Sequence, residues 1–288
     1  MTAQLRDQLG RFGIWRGAWQ TTPDLAAGIE QLGYGAIWLG GSPDGDLEIV
    51  DGLLAATTNL IVGTSIVNIW KDDAALVARS FARIQQRFPD RFVLGVGAGH
   101  REATEQYANP YQTLAAYVAA LRTNHVPAER IVLAALGPKV LKLAGERTAG
   151  AIPYLVPPEH TSRAREILGP GPLLAPEHKV VLDADIARAR DLGRRRVRSP
   201  YLGLVNYTSN LRRLGFSEDD LSDDGSDALI DAVVARGTAS EVAARLNDHL
   251  NAGADHVCIQ LLTQADASPM PGYAELAGAL GLHRGKAS

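Results

Sequence analysis

Residues 90–100 read DRFVLGVGAGH, and within them the apolar run FVLGVG at 92–97 passes directly into small residues and a histidine. A run that is apolar at nearly every position is typical of a parallel strand buried on both faces. The glycines that follow predict a turn into a loop, because glycine tolerates the backbone conformations of tight turns. This stretch therefore predicts a buried strand of an α/β fold, with His100 just beyond its carboxyl end.

Similar runs recur along the whole chain and begin near residues 12, 36, 61, 92, 131, 151, 179 and 256. Their mean spacing of about 35 residues is the size of one strand-helix unit. Helix starts fall between them, at Thr22 with Pro23, at Asp73, at Pro138 and at the capping box that begins at Thr238. Eight such units predict one (β/α)₈ barrel, a TIM barrel, over residues 1–288.

One segment, 185–236, is about twice as long as the period allows, and it is charged with helical patterning. We expect a helical insertion between the seventh and eighth strands, within the single domain, because it holds too few apolar residues for a core of its own. The competing fold is a doubly wound open sheet, which would usually place a phosphate loop after its first strand. Here the glycines follow the second, fourth and fifth runs, which favours the barrel.

The composition excludes several classes of protein. The 29 basic and 32 acidic residues give a net charge of -3, which argues against a protein dedicated to nucleic acid or membrane surfaces. A single cysteine rules out a disulfide framework, and the seven histidines lack metal-site spacing, so no metal is expected. No signal peptide or membrane span is visible, which predicts a cytoplasmic protein.

The active site of such a barrel lies at the carboxyl ends of its strands. His100 is the best candidate there for a general acid or base, with a surface-loop histidine as the alternative. Residues 136–139, Leu-Gly-Pro-Lys, lead into a helix whose first N–H groups suit a phosphate, or they form an ordinary helix start. Asn68 either binds a ligand or caps a turn.

Two further features have a structural and a functional interpretation. The basic run Arg194, Arg195, Arg196 and Arg198 is typical of a solvated helix face, with contact to an anionic cofactor tail as the less favoured alternative. Cys258 lies inside an apolar run, which predicts a buried small side chain rather than a nucleophile.

Read together, the strand ends resemble the luciferase-like monooxygenase superfamily, and more narrowly its actinobacterial coenzyme F420-dependent oxidoreductases. The resemblance covers nearly the whole chain. It rests on GYGAIWLGGSP at 33–43, IVGTSIVNIW at 61–70, DRFVLGVGAGH at 90–100, LAALGPKVLKLAGERTAGAIPYLVPPEHT at 133–161 and PYLGLVNYTSNLRRLGF at 200–216.

The resemblance implies a (β/α)₈ barrel that binds a deazaflavin or flavin over its mouth: coenzyme F420, with FMN as the alternative. A non-proline cis peptide after the third strand, at Ser65-Ile66, would support the ring, and Leu136, Gly137, Pro138 and Lys139 would hold the phosphate. Ala98 and Gly99 would lie beside the ring and the ribityl chain, and His100 takes the place of an acidic residue that protonates substrate in some members. Gly40, Asn68 and Tyr154 complete the predicted cofactor site.

The sequence also departs from the family pattern. Sugar-phosphate dehydrogenases of the family carry an Asp-His pair after the second strand, where this chain has Gly40-Gly41-Ser42, so sugar-phosphate oxidation is not expected. Three hypotheses follow: hydride transfer between F420 and a small organic substrate, an FMN-dependent monooxygenase, or a non-catalytic barrel that binds a flavin-type ligand. A small molecule is the expected partner, with no nucleic acid or membrane, and family habit suggests a homodimer.

Overall fold

The structure is a computed structural model, and it describes residues 2–100, 109–264 and 267–282. Its strands are β1 Phe12–Gly17, β2 Ala36–Gly40, β3 Ile61–Ser65, β4 Val67–Asn68, β5 Phe92–Gly97, β6 Ile131–Leu133, β7 Gly150–Ala151, β8 Leu173–Leu174, β9 Glu177–Leu182, β10 Val234–Gly237 and β11 Val257–Leu261. The pairings between them in the described residues are parallel, and the order runs β10-β9-β11-β1-β2-β3-β5-β6-β7-β8, with β4 beside β5.

The chain between residues 173 and 182 closes the sheet into a ring. Its first part, β8, pairs with β7, whereas its second part, β9, pairs with β11. Hydrogen bonds bridge the interruption at Pro176, because the Glu177 N–H donates to the Pro153 carbonyl and the Cys258 N–H donates to Pro176. With β8 and β9 counted as one strand, the ring of the described chain runs β1-β2-β3-β5-β6-β7-β8/β9-β11, which is eight strands, while β4 lies beside β5 and β10 beside β9. The predicted α/β barrel is confirmed.

Helices follow the strands and cover the outside of the ring. They are α1 Thr2–Leu9, α2 Pro23–Gln31, α3 Glu48–Ala55, α4 Ala74–Arg87, α5 Pro110–Thr123, α6 Pro138–Arg147, α7 Pro158–Leu168, α8 Ile186–Arg198, α9 Val205–Leu214, α10 Glu218–Leu221, α11 Asp227–Val233, α12 Ala239–Asn251 and α13 Met270–Ala279. Thr22, Asp73 and Thr238 cap α2, α4 and α12 as predicted, each through its side-chain oxygen. No helix in the described ranges is long and apolar enough to cross a membrane.

Two tryptophans fill the inside of the barrel. Trp38 is fully buried and Trp15 nearly so, and they belong to one apolar cluster with Val93, Val132 and other inward residues. Gly40 faces Trp15, and a Cβ at that position would overlap the indole ring. The predicted ligand contact at Gly40 therefore has another explanation, since the glycine makes room for Trp15. Leu5 and Leu9 of α1, a helix that the sequence did not reveal, join the same cluster.

The segment 185–236 holds α8, α9, α10 and α11, together with most of β10. The sequence predicted a helical insertion as far as residue 236, but the last helix ends at Val233 and the next four residues pair with β9. Its helices bury a cluster of apolar residues that also includes Leu155 and Val181 from the barrel. This shared packing brings Tyr201 and Tyr207 over the carboxyl ends of the strands.

Candidate active site

A cavity of about 640 Å³ opens at the carboxyl ends of the strands. Most of the residues predicted for the site line it, namely Ser65, Ile66, Asn68, Ala98, Gly99, His100, Leu136, Gly137, Lys139 and Tyr154. Gly40 and Pro138 do not line it: Gly40 lies against Trp15, and Pro138 opens α6. The size suits a drug-sized or cofactor-sized ligand.

The floor of the cavity is formed where β3 ends. The peptide bond between Ser65 and Ile66 is cis, as the family resemblance implied. The indole N–H of Trp15 donates to the Ser65 hydroxyl oxygen over 3.0 Å, which holds that side chain against the barrel interior. The cavity therefore rests on a bent, hydrogen-bonded segment with the apolar side chain of Ile66 beside it.

The ends of β4 and β5 form a tight wall. A Cβ at Gly99 would lie 2.9 Å from the amide nitrogen of Asn68, so only a glycine fits without a shift. The Asn68 side-chain oxygen accepts a hydrogen bond from the backbone N–H of Trp70. Asn68 therefore caps a turn, which is one of the two roles that the sequence left open. The Trp70 indole in turn donates to the Ala98 carbonyl over 2.8 Å. Asn68 therefore shapes the wall through its oxygen and presents its amide to Gly99.

The start of α6 gathers positive charge at one end of the cavity. Gly137 is the N-cap, and it has no side chain that could accept a hydrogen bond from the helix. The N–H groups of the first turn therefore have no partner within the helix. Arg213 of α9 approaches Gly137, and Arg163 donates to the Arg213 carbonyl over 2.6 Å. Within residues 2–100, 109–264 and 267–282, Lys139, Arg163 and Arg213 form no ion pair with an acidic side chain.

His160 fixes the loop that leads into this helix. Its Nε2 lies 2.9 Å from the Leu136 carbonyl, and its ring is almost fully buried. Burial lowers its pKa, and the charges of Arg213 and Arg163 lower it further. A neutral His160 therefore donates to Leu136 without adding charge to this end of the cavity.

Three tyrosines enclose the opposite part of the cavity. The Tyr154 hydroxyl donates to Gln260 Oε1 over 2.8 Å and lies 2.7 Å from the Tyr201 hydroxyl. Because a phenol has one proton, Tyr201 must donate to Tyr154, and its own oxygen keeps lone pairs for a further donor. The Tyr201 and Tyr207 rings meet edge to face at 5.0 Å. This hydrogen-bonded cluster forms an apolar enclosure in which the Tyr201 hydroxyl oxygen can accept a hydrogen bond.

A buried ion pair lies beneath these rings. Lys179 Nζ lies 3.1 Å from Glu177 Oε1, and the two side chains are 0% and 2% exposed. The ammonium also lies 3.9 Å from the centre of the Tyr154 ring. Burial lowers the pKa of Lys179 to about 8 and raises that of Glu177, and each charge opposes the shift of the other. The pair supports the tyrosines without lining the cavity.

His100 lies on the cavity wall between the two ends. Its ring is half-buried and lies 5.5 Å from the ring of Tyr207. The residues that follow it, 101–108, lie outside the described part of the chain. An imidazole at this position faces the space that a substrate would occupy, so a role in proton transfer stays a prediction.

Comparison with known proteins identifies a similar family. Residues 4–124 match the model of the luciferase-like monooxygenase family. No curated protein sequence matches the chain significantly.

Solved structures extend the luciferase-like fold over nearly the whole chain. An F420-dependent secondary alcohol dehydrogenase in complex with an F420-acetone adduct is 18% identical, covers 96% of this chain and 99% of its own, and has a TM-score of 0.71. The coenzyme F420 dependent tetrahydromethanopterin reductase from Methanopyrus kandleri is 15% identical, with 93% and 97% covered and a TM-score of 0.66. The oxygenating constituent of 3,6-diketocamphane monooxygenase from Pseudomonas putida, solved with FMN, is 16% identical, with 93% and 95% covered and a TM-score of 0.67.

The family match over residues 4–124 and the shared fold support an enzyme of the luciferase-like class. Several residues of its cavity were not predicted from the sequence, and most of them come from the insertion or from β1. They are Trp15, Trp19, Arg196, Tyr201, Asn206, Tyr207, Ser209 and Arg213. Trp15 stood at a predicted strand end and could have been included on that ground. The others lie on helices whose facing direction no local pattern specifies.

Proposed function

We propose that this luciferase-like enzyme transfers a hydride between coenzyme F420 and a small organic substrate in the cavity. The observation that carries the proposal is the cationic end at α6, where Lys139, Arg163 and Arg213 lack acidic partners in the described ranges. Unpaired cations beside a helix start favour a ligand with several negative charges. The similarity to two F420-dependent enzymes supports the same cofactor.

The charge distribution favours F420 over FMN. FMN ends at its phosphate, whereas F420 continues beyond the phosphate into a tail that bears carboxylates. The N–H groups of α6 suffice for a phosphate. Arg163 is exposed and lies further along the surface, where it donates to the carbonyl of Arg213. A positive charge beyond the start of α6, such as that of Arg163, fits the carboxylate tail of F420 if this tail leaves the cavity along the surface.

The rest of the cavity fits a flat tricyclic ring. Ser65 and Ile66 form a floor, and Gly99 leaves a gap against Asn68 that a Cβ would fill. When bound, the deazaflavin supplies a ring carbon that accepts or releases a hydride. The chain's own residues supply orientation from Ile66 below and exclude water through the aromatic side chains above.

His100 and Tyr201 are the groups placed to handle the substrate. We assign His100 the proton that accompanies hydride transfer, because its imidazole lines the cavity and histidine is the commonest general acid or base in enzymes. Tyr201 donates to Tyr154, so its oxygen accepts a hydrogen bond from a substrate hydroxyl. Such a contact would orient an alcohol for oxidation.

A fluorescence titration tests the cofactor. The expected result is tight binding of F420 and at least tenfold weaker binding of FMN, which is a difference of about 1.4 kcal/mol. Arg213→Gln should weaken F420 about tenfold. The control Arg212→Gln, an exposed neighbour bonded to Glu218 at 2.5 Å, should not. FMN binding equal to or tighter than F420 binding would contradict the proposal.

The second candidate is an FMN-dependent monooxygenase on the same fold. The uncapped start of α6 favours it, since those N–H groups alone can hold a terminal phosphate. An FMN-loaded protein that consumes oxygen with reduced FMN, and that binds F420 poorly, would establish this function instead.

A further inference from the structure

The four arginines near the end of α8 differ in what they contact. Three of them do not line the cavity and bond to carboxylates. Their partners are Asp227 for Arg194, Asp191 for Arg195 at 2.8 Å and Asp224 for Arg198 at 3.1 Å. These three form the solvated helix face that a basic run usually makes.

Arg196 is the exception. It is half-buried and lines the cavity. Within the described residues, its guanidinium forms no ion pair or hydrogen bond, although its planar array of donors is suited to carboxylates. A guanidinium partly removed from water and left without a partner favours an anion from outside the chain.

The charges around Arg196 leave a surplus of one positive charge. The buried carboxylate in this region is that of Glu177, which is already bonded to Lys179 at 3.1 Å and 3.3 Å and accepts from the Leu155 N–H. Two cations therefore share one carboxylate. Since Lys179 holds Glu177, the charge of Arg196 is available to a ligand in the cavity.

Aromatic rings surround the space beside Arg196. Trp15 and Tyr154 lie 5.2 Å apart between ring centres, and Tyr201 and Tyr207 lie 5.0 Å apart. All four line the same cavity as Arg196. Aromatic walls favour a flat apolar body, because stacked and edge-to-face contacts add to the burial of its surface. A cation beside such walls selects an aromatic compound that also carries a negative charge.

We propose that Arg196 and the tyrosine enclosure form a subsite for an aryl carboxylate, separate from the cationic end at Lys139 and Arg213. The inference deepens the proposed function by naming the class of substrate, and it rests on that function for the reaction. The subsite binds the carboxylate through Arg196 and packs the ring against the cavity side of Trp15 and the tyrosines. A substrate held this way keeps its reactive group within reach of the Tyr201 oxygen.

The test compares 2-naphthoate with 2-naphthamide, its neutral counterpart, by calorimetric titration of the full-length protein. The wild-type protein should bind the naphthoate at least about tenfold more tightly than the amide. Arg196→Gln should abolish this preference and leave the amide affinity unchanged. The matched control Arg195→Gln alters an exposed arginine already bonded to Asp191, and it should keep the preference.

An F420 titration of the same proteins separates this inference from the proposed function. Arg196→Gln should bind F420 as the wild type does, and a weakened F420 affinity would assign Arg196 to the cofactor and overturn the subsite. The subsite would also be overturned if the wild type bound naphthoate and amide equally, or bound neither at millimolar concentration. This result does not depend on how the variant folds. A preference for naphthoate without F420 binding would support the subsite and reject the proposed cofactor.

Discussion

The buried pair of Glu177 and Lys179 leads to a quantitative prediction. Lys179→Met leaves the carboxylate of Glu177, which is 2% exposed, in the barrel without its cation. Removing one member of a buried ion pair costs about 3–5 kcal/mol of unfolding free energy. We expect the lower end, about 3 kcal/mol, because Glu177 keeps its hydrogen bond from the Leu155 N–H at 2.9 Å.

The double variant Glu177→Gln with Lys179→Met should recover most of this loss. Glutamine still accepts from Leu155, and methionine replaces the apolar stem of the lysine, so no charge stays buried. A buried pair replaced by neutral groups of similar volume is often nearly neutral in stability. The double variant should therefore lie within about 1 kcal/mol of the wild type, so Glu177→Gln should recover about 2 kcal/mol when it is added to Lys179→Met.

Urea unfolding followed by tryptophan fluorescence measures these differences, with pH as an independent check. Burial raises the pKa of Glu177, and loss of Lys179 removes the charge that opposes this shift. The folded single variant then binds a proton that the unfolded chain releases, so its stability deficit should shrink from about pH 8 to about pH 5.

The control is Lys142→Met, at an exposed lysine that lies 3.8 Å from Glu146, and it should change stability by less than about 0.5 kcal/mol. Equal losses in the single and double variants, or a deficit that does not change with pH, would refute this reasoning.

Three further predictions concern the barrel and the site. Burial lowers the pKa of His256 to about 4 from its ordinary 6.5, and Trp38 donates to its Nε2, so the folded chain resists protonation. The free energy of unfolding should therefore fall by about 3 kcal/mol as pH falls from about 6.5 to about 4, because the unfolded chain binds a proton that the folded chain does not. Urea unfolding of His256→Gln with the same dependence on pH would contradict this. His100→Ala should lower kcat by about 10²-fold at unchanged F420 affinity, and steady-state kinetics showing full turnover would remove His100 from the mechanism. Gly40→Ala forces a methyl group into the Trp15 ring and should cost about 1–3 kcal/mol in urea unfolding, whereas wild-type stability would show that the ring can move.

The helix starts show what local sequence can specify. Thr22, Asp73 and Thr238 each accept a hydrogen bond from a backbone N–H within three residues, so the residues that decide each cap are adjacent in the chain. The continuous apolar runs likewise identified the strands, because a strand covered on both faces must be apolar at successive positions. The count of eight such units then favoured a barrel over an open sheet.

Other features depended on distant parts of the chain. Gly40 was assigned to the ligand, yet it accommodates Trp15 from the neighbouring strand. The seventh strand begins at Leu173 rather than near residue 179, because β8 completes its hydrogen bonds with β7 in spite of Pro176. In neither case does the local sequence contain the partner that decides the outcome.

The sequence by itself determined the barrel, its caps and its strand ends, since these follow from periodicity and short-range hydrogen bonds. Only the tertiary structure decided which side chains of the insertion face the cavity. Within little more than one turn of α8, Arg196 lines the cavity, whereas Arg194, Arg195 and Arg198 bond to carboxylates of the same segment. The physical reason is that helix rotation is set by the apolar residues buried against the barrel, and not by the charged residues themselves.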